Sequence, residues 1–116
     1  MTLREQMDRK TAGLPPPCVE TEKEPLTLSV HLADGETWIF PWSRFNHACV
    51  RGEELKVVFS EQEVVVRGQN LVCVLKHVST FSVEILRTMA AQYRSLVPVT
   101  EPFIFEIEVR MESQQR

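Results

Sequence analysis

The sequence predicts an α+β fold: a mainly antiparallel sheet built from two N-terminal β-hairpins, one or two covering helices and a C-terminal strand. A small open β-barrel is the alternative arrangement. Three observations carry this reading. Three runs before residue 68 have period two, the mark of half-buried strands, and a fourth is the short apolar run Val64-Val65-Val66. The runs are joined by short links, which make neighbouring strands antiparallel. After residue 69 the apolar spacing drifts toward the helical period, and a sheet with one apolar face needs such cover.

The first run holds Leu26, Leu28, Val30 and Leu32, alternating with Thr27, Ser29, His31 and Ala33. Asp34-Gly35 follows, the signal for a type I′ hairpin in which both turn residues take positive φ. On the return strand Trp38, Phe40 and Trp42 share one face, which packs them into the core, and Thr37, Ile39 and Pro41 share the other. Pro41 has no ladder donor, so this strand ends there or lies at an edge. Residues 43–54 read as irregular, with a turn at Arg51-Gly52-Glu53. The second hairpin pairs Leu55, Val57 and Phe59 with Val64-Val65-Val66-Arg67 across a reversal at residues 60–63, and Gly68 ends it.

Residues 70–79 carry two patterns. Leu71, Leu75 and Val78 fit i, i+4, i+7 of a helix capped by Asn70, whereas Val72-Cys73-Val74 favours a strand; the helix fits better. Residues 82–96 are similarly divided. Phe81, Val83 and Ile85 alternate as a strand, and Ile85, Leu86, Met89, Ala90, Tyr93 and Leu96 trace a helix face. A short strand passing into a short helix satisfies both. The last strand is the clearest: Phe103, Phe105, Ile107 and Val109 form an apolar face and Ile104, Glu106, Glu108 and Arg110 a mostly charged one. Such a strand is half-buried and suited to a sheet edge guarded by charge.

The 116 residues correspond to one domain. Residues 1–24 read as a flexible Pro-containing leader around Gly13-Leu14-Pro15-Pro16-Pro17, residues 25–110 as a single α+β domain, and residues 111–116 as a polar tail. The 13 Lys and Arg against 16 Asp and Glu give a net charge of −3, which counts against a dedicated nucleic-acid binder. The excess acid sits in the two end segments, so the central part is neutral. No run is long and apolar enough for a transmembrane helix and the N-terminus has no secretory h-region, so the expected setting is cytoplasmic, without membrane contact. The three cysteines (Cys18, Cys49, Cys73) read as reduced thiols, with Cys73 a small core residue.

The chemistry-bearing motifs are sparse. The four glycines are too far apart for a phosphate-cradling loop. His47 and Cys49 form the one close His/Cys pair, with no second pair at zinc spacing, so no metal and no cofactor is expected. The same pair is the one local candidate for a thiol-dependent enzyme. Trp42, Arg44, Phe45 and His47, with Arg67 beyond them, are the candidate binding residues, because aromatic and arginine side chains together anchor partners. The leading expectation is a non-enzymatic module that binds a protein partner or itself.

Two segments resemble the Sm-like RNA-binding family. In residues 28–49, Asp34-Gly35 is followed by Phe45-Asn46, and Val65-Val66-Arg67-Gly68-Gln69-Asn70-Leu71 is similar to the Arg-Gly signature of that family's second motif. The resemblance implies a ring oligomer in which Phe45, Asn46, Arg67 and Asn70 contact RNA. Phe40 stands where the family has a sheet-bending glycine and Val50 where it has an asparagine.

Overall fold

A computed structural model of the chain describes residues 16–111. Most of the expected leader (residues 1–15) and most of the expected tail (residues 112–116) lie outside the described residues. Eight strands form two four-stranded sheets. The strands are β1 (Val19–Thr21), β2 (Thr27–His31), β3 (Thr37–Pro41), β4 (Phe45–Arg51), β5 (Glu54–Phe59), β6 (Gln62–Gln69), β7 (Val83–Arg87) and β8 (Phe103–Met111). The first sheet runs β1-β7-β2-β3 and the second β4-β5-β6-β8. One α-helix, α1 (Leu71–Ser79), and two 3-10 turns (Trp42–Arg44, Ala91–Leu96) complete the α+β fold. The sheets do not close into a barrel, and all pairings are antiparallel except β2 with β7. No helix among the described residues is long and apolar enough to cross a membrane.

The two expected hairpins form, but in different sheets. The stretch read as irregular contains β4, which pairs with β5 across a turn where Gly52 takes φ 62°. β4 escapes the period-two test because its core-facing residues are Phe45, Ala48 and Val50, and a register shift between Phe45 and His47 breaks their alternation. The first turn also differs from expectation. Leu32 N–H donates to the Glu36 carbonyl (2.8 Å) and Gly35 N–H to the Leu32 carbonyl (3.1 Å), so the loop has three residues and only Gly35 has positive φ. The Asp34 side chain accepts from Glu36 N–H at 2.9 Å and sets the loop shape.

Paired structure is present ahead of residue 25. Cys18 is 2% exposed, and β1 pairs with β7. Arg87 donates to the Pro17 carbonyl at 2.8 Å and pairs with Glu20. Cys18, not Cys73, is the core thiol; Cys73 is half-buried. The expected helix α1 forms, burying Leu71, Val74 and Val78 and packing a half-buried Leu75 against the core. Each such burial contributes roughly 1.5–3 kcal/mol. The expected cap at Asn70 does not form through its side chain, which instead donates to the Thr100 carbonyl at 2.6 Å from a left-handed backbone.

One hydrophobic core joins both sheets and the helix. Leu28, Val30 and Phe40 come from the first sheet, Leu55, Val57, Phe59, Val64 and Val66 from the second. β8 departs from its expected face. Its register with β6 slips between Arg67 and Gly68, so Ile104 and Phe103 are buried and Phe105 is 37% exposed. The bulge rests on Gly68, where an added Cβ would lie 1.9 Å from the Phe103 carbonyl oxygen. That obstacle is backbone and cannot swing away. Gly68→Ala is therefore expected to cost at least ~1–3 kcal/mol, as overpacked sites do. Thermal unfolding checks it, with a fall of about 4–8 °C per kcal/mol.

Candidate functional site

Trp42, Arg44, Phe45 and His47 lie on or next to the 3-10 turn that carries the chain from β3 into β4. This candidate binding group is only partly exposed. Trp42 is buried, and its indole N–H donates to the Val83 carbonyl at 3.0 Å. Its ring meets Phe45 (5.6 Å between centroids), Phe59 (5.7 Å) and Phe81 (5.7 Å). Phe45 is half-buried, edge-on to Phe59 and Phe81. Arg44 and His47 are exposed, and the His47 ring lies 3.3 Å from the Asn46 side-chain oxygen.

Arg67 is not part of this group. It pairs with Glu54, where Phe45 pairs with Phe59. Five residues along β5 separate the two positions by about 17 Å. Its guanidinium meets Glu54 (3.2 Å), Glu106 (3.3 Å) and Glu108 (3.5 Å). Arg110 donates to Glu108 at 3.1 Å, and that hydrogen bond holds the Glu108 carboxyl below the usual carboxylate range. The outer face of the second sheet is thus an ion-pair lattice, not a basic strip. Of the residues the Sm-like resemblance singles out, Phe45 is spent on ring packing, Arg67 on carboxylates and Asn70 on the Thr100 carbonyl.

The structure assembles a different site nearby. A cleft of about 250 Å³ lies between β3 (residues 38–41) and the turn joining β5 to β6 (residues 59–62), with Arg44 at its margin. Its apolar surface is a run of stacked rings: Trp38 on Phe40 at 5.9 Å, then Phe40 on Phe59 at 4.8 Å. Trp38 is only half-buried, and its indole N–H donates to Glu36 at 2.9 Å. The cleft is below the roughly 300–1,000 Å³ of small-molecule pockets and suits a single side chain.

Beside the cleft runs an open backbone. β3 is the outer strand of its sheet. Leu32 N–H to the Glu36 carbonyl at one end, and Trp42 N–H to the Leu26 carbonyl (3.0 Å) at the other, fix the phase of the β2–β3 ladder. Alternation then turns the backbone groups of Trp38 and Phe40 toward β2 and those of Thr37 and Ile39 outward. Pro41 ends the row with a carbonyl and no donor. The Ile39 side chain is 62% exposed and Leu26, beside Trp42, 86%. β8 is also an outer strand, but its Ile104 is taken: the N–H donates to Cys18 Sγ (3.2 Å) and the carbonyl accepts from Met89 N–H (2.8 Å).

Two further readings of the residues have their geometry. His47 and Cys49 share the outer face of β4, two residues apart, and the His47 ring meets the Asn46 side-chain oxygen rather than the Cys49 thiol. Among the described residues no group of three or more His, Cys, Asp or Glu converges as a metal site.

Phe81 is the contributor that sequence reading misplaces. It does not start a strand. Ser82 N–H bonds the His77 carbonyl (3.0 Å) and Phe81 N–H the Val78 carbonyl (2.9 Å), a Schellman ending of α1 with Phe81 in the glycine position. Its φ is 52°, a left-handed backbone that costs a bulky residue about 1–2 kcal/mol. The ring's contacts with Trp42 and Phe45 offset that strain. No signal in the local sequence marks it, since the usual glycine is absent.

Comparison with known proteins finds no matching family model, no matching curated sequence and no matching solved structure.

The strain at Phe81 has a measurable consequence. Phe81→Ala removes the ring and keeps the left-handed penalty, whereas Phe81→Gly removes both. The glycine variant should therefore be the more stable of the two by about 1 kcal/mol, the reverse of their order inside a helix. Denaturant unfolding of both variants checks the order.

Proposed function

We propose that the chain is a non-enzymatic interaction module that receives an extended segment on the open edge of β3. Backbone hydrogen bonds to Thr37 and Ile39 hold the segment, and one of its side chains enters the aromatic cleft. In strand addition the main chain supplies affinity and pockets for alternate side chains supply selectivity. The observation that carries this reading is the coincidence of the two parts: the outward-facing groups of Thr37 and Ile39 lie on the strand whose other residues, Trp38 and Phe40, form the cleft wall. Arg44 and Glu61 at the cleft offer one charge of each sign to flanking residues.

The charge pattern favours a protein partner over RNA, because Arg67 is already matched by carboxylates and the accessible edge is apolar. The His47 ring's contact with Asn46, not with the Cys49 thiol, supports binding over thiol catalysis. A cytoplasmic setting belongs to the same proposal and accords with the absence of disulfides among the described residues.

The test is selection of extended peptides from a displayed random library against the full chain. Ile39→Pro, which deletes an outward N–H, and Trp38→Ala, which opens the cleft wall, should each weaken a selected peptide at least about tenfold, or 1.4 kcal/mol. Arg67→Ala should leave it unchanged. A peptide that binds Ile39→Pro as well as the parent chain would contradict the proposal, and so would low-salt RNA binding abolished by Arg67→Ala.

A further inference from the structure

We infer that the segment added to β3 is β3 of a second copy of this chain, paired antiparallel about a two-fold axis at Ile39. The inference rests on the strand-addition reading and names its partner. A two-fold contact requires one surface to complement itself, and three features of β3 do so.

The first is the hydrogen-bond pattern. With Ile39 opposite the partner's Ile39, the two residues exchange a pair of N–H···O=C bonds. Thr37 then faces the partner's Pro41, whose carbonyl accepts from Thr37 N–H, and symmetry repeats the bond. Four bonds form, and the donor Pro41 lacks is missed only at the two ends. A strand with proline at its centre would fail this test, whereas one with proline at its end passes.

The second is charge. Asp34 and Glu36 are exposed at the start of β3, and Arg44 is exposed just past its end, with no ion pair among the described residues. Antiparallel pairing carries each acidic end to the partner's Arg44. Parallel pairing would set like charges against each other, which is destabilising across strands.

The third is the cleft. In the same register Trp38 lies opposite the partner's Phe40, in a non-hydrogen-bonded pair whose Cα atoms approach to about 4.5 Å. Each indole then faces the partner's Phe40–Phe59 stack, the apolar surface of a cleft sized for one side chain. On the opposite face the two exposed Ile39 side chains cover one another.

The test measures the solution mass of the full chain by sedimentation between about 1 µM and 1 mM. The mass should rise from one copy to two and stop there. Arg44→Glu should weaken the dimer at least about tenfold, and adding Glu36→Lys to it should restore most of the loss. Independently, Ile39→Cys in a Cys49→Ser background should form an intermolecular disulfide, because the facing Cα atoms lie about 5.5 Å apart. Thr37→Cys should not, because its copies are offset by four residues, about 13 Å. A chain that stays monomeric throughout, that assembles beyond two copies, or whose dimer is not linked through Ile39→Cys overturns the inference. A monomer that still takes a library peptide in an Ile39-dependent way overturns self-pairing alone and leaves strand addition standing.

Discussion

The Phe59 ring is the point on which the two sheets meet. It ends β5 in one sheet, stacks on Phe40 of the other at 4.8 Å, and is flanked by Trp42 and Phe45. Each aromatic pair contributes about 0.5–1.5 kcal/mol beyond its buried area. The larger effect is positional. Because β5 turns into β6 straight after Phe59, fixing that ring against β3 sets residues 60–62 alongside the strand, and the space left between them is the cleft. Trp42 extends the joint by bonding the Val83 carbonyl on β7, so the chain between β3 and β4 is held at both ends.

The opposite seam is made differently. There Cys18 and Met89 bond the backbone of Ile104, and β8 bulges to let them approach. That seam consumes part of the β8 edge, while the aromatic seam uses side chains and leaves the β3 edge untouched. The difference explains why the β3 edge stays open along its length where part of the β8 edge does not. Strain follows the same logic. Phe81 occupies a glycine position at the end of α1 because its ring closes the aromatic cluster around Trp42 and Phe45, and strained backbone of this kind persists only where surrounding packing holds it.

Sequence periodicity made the fold class legible because alternation is local. Leu28 and Val30, Leu55 and Val57, and the helical Leu71, Val74 and Val78 all face where their spacing says. The elements it hid are those specified from a distance. β1 has three residues, too few for a period, and exists because Cys18 meets Ile104, 86 residues away. β4 has a mostly exposed composition and is recruited by its neighbour β5. Phe105 loses its place to Ile104 because Gly68 lets β8 come close. For the site, the aromatic stretch from Trp38 to Phe45 was visible and its pairing with Phe59 and Phe81 was not. Arg67 looked like a ligand because its three carboxylates come from β5 and β8, which no local motif brings together.

β3 is an outer strand whose backbone groups alternate between those bonded to β2 and those facing outward. Residue-resolved amide hydrogen exchange in dilute solution reads this directly, since an exposed strand edge exchanges far faster than its bonded side. Trp38 and Phe40, bonded to β2, should exchange slowly, while Thr37 and Ile39, which alternate with them, should exchange at close to unprotected rates. Protection of Ile39 equal to that of Phe40 in a chain shown to be monomeric would mean that β3 is covered from within, and would contradict the account.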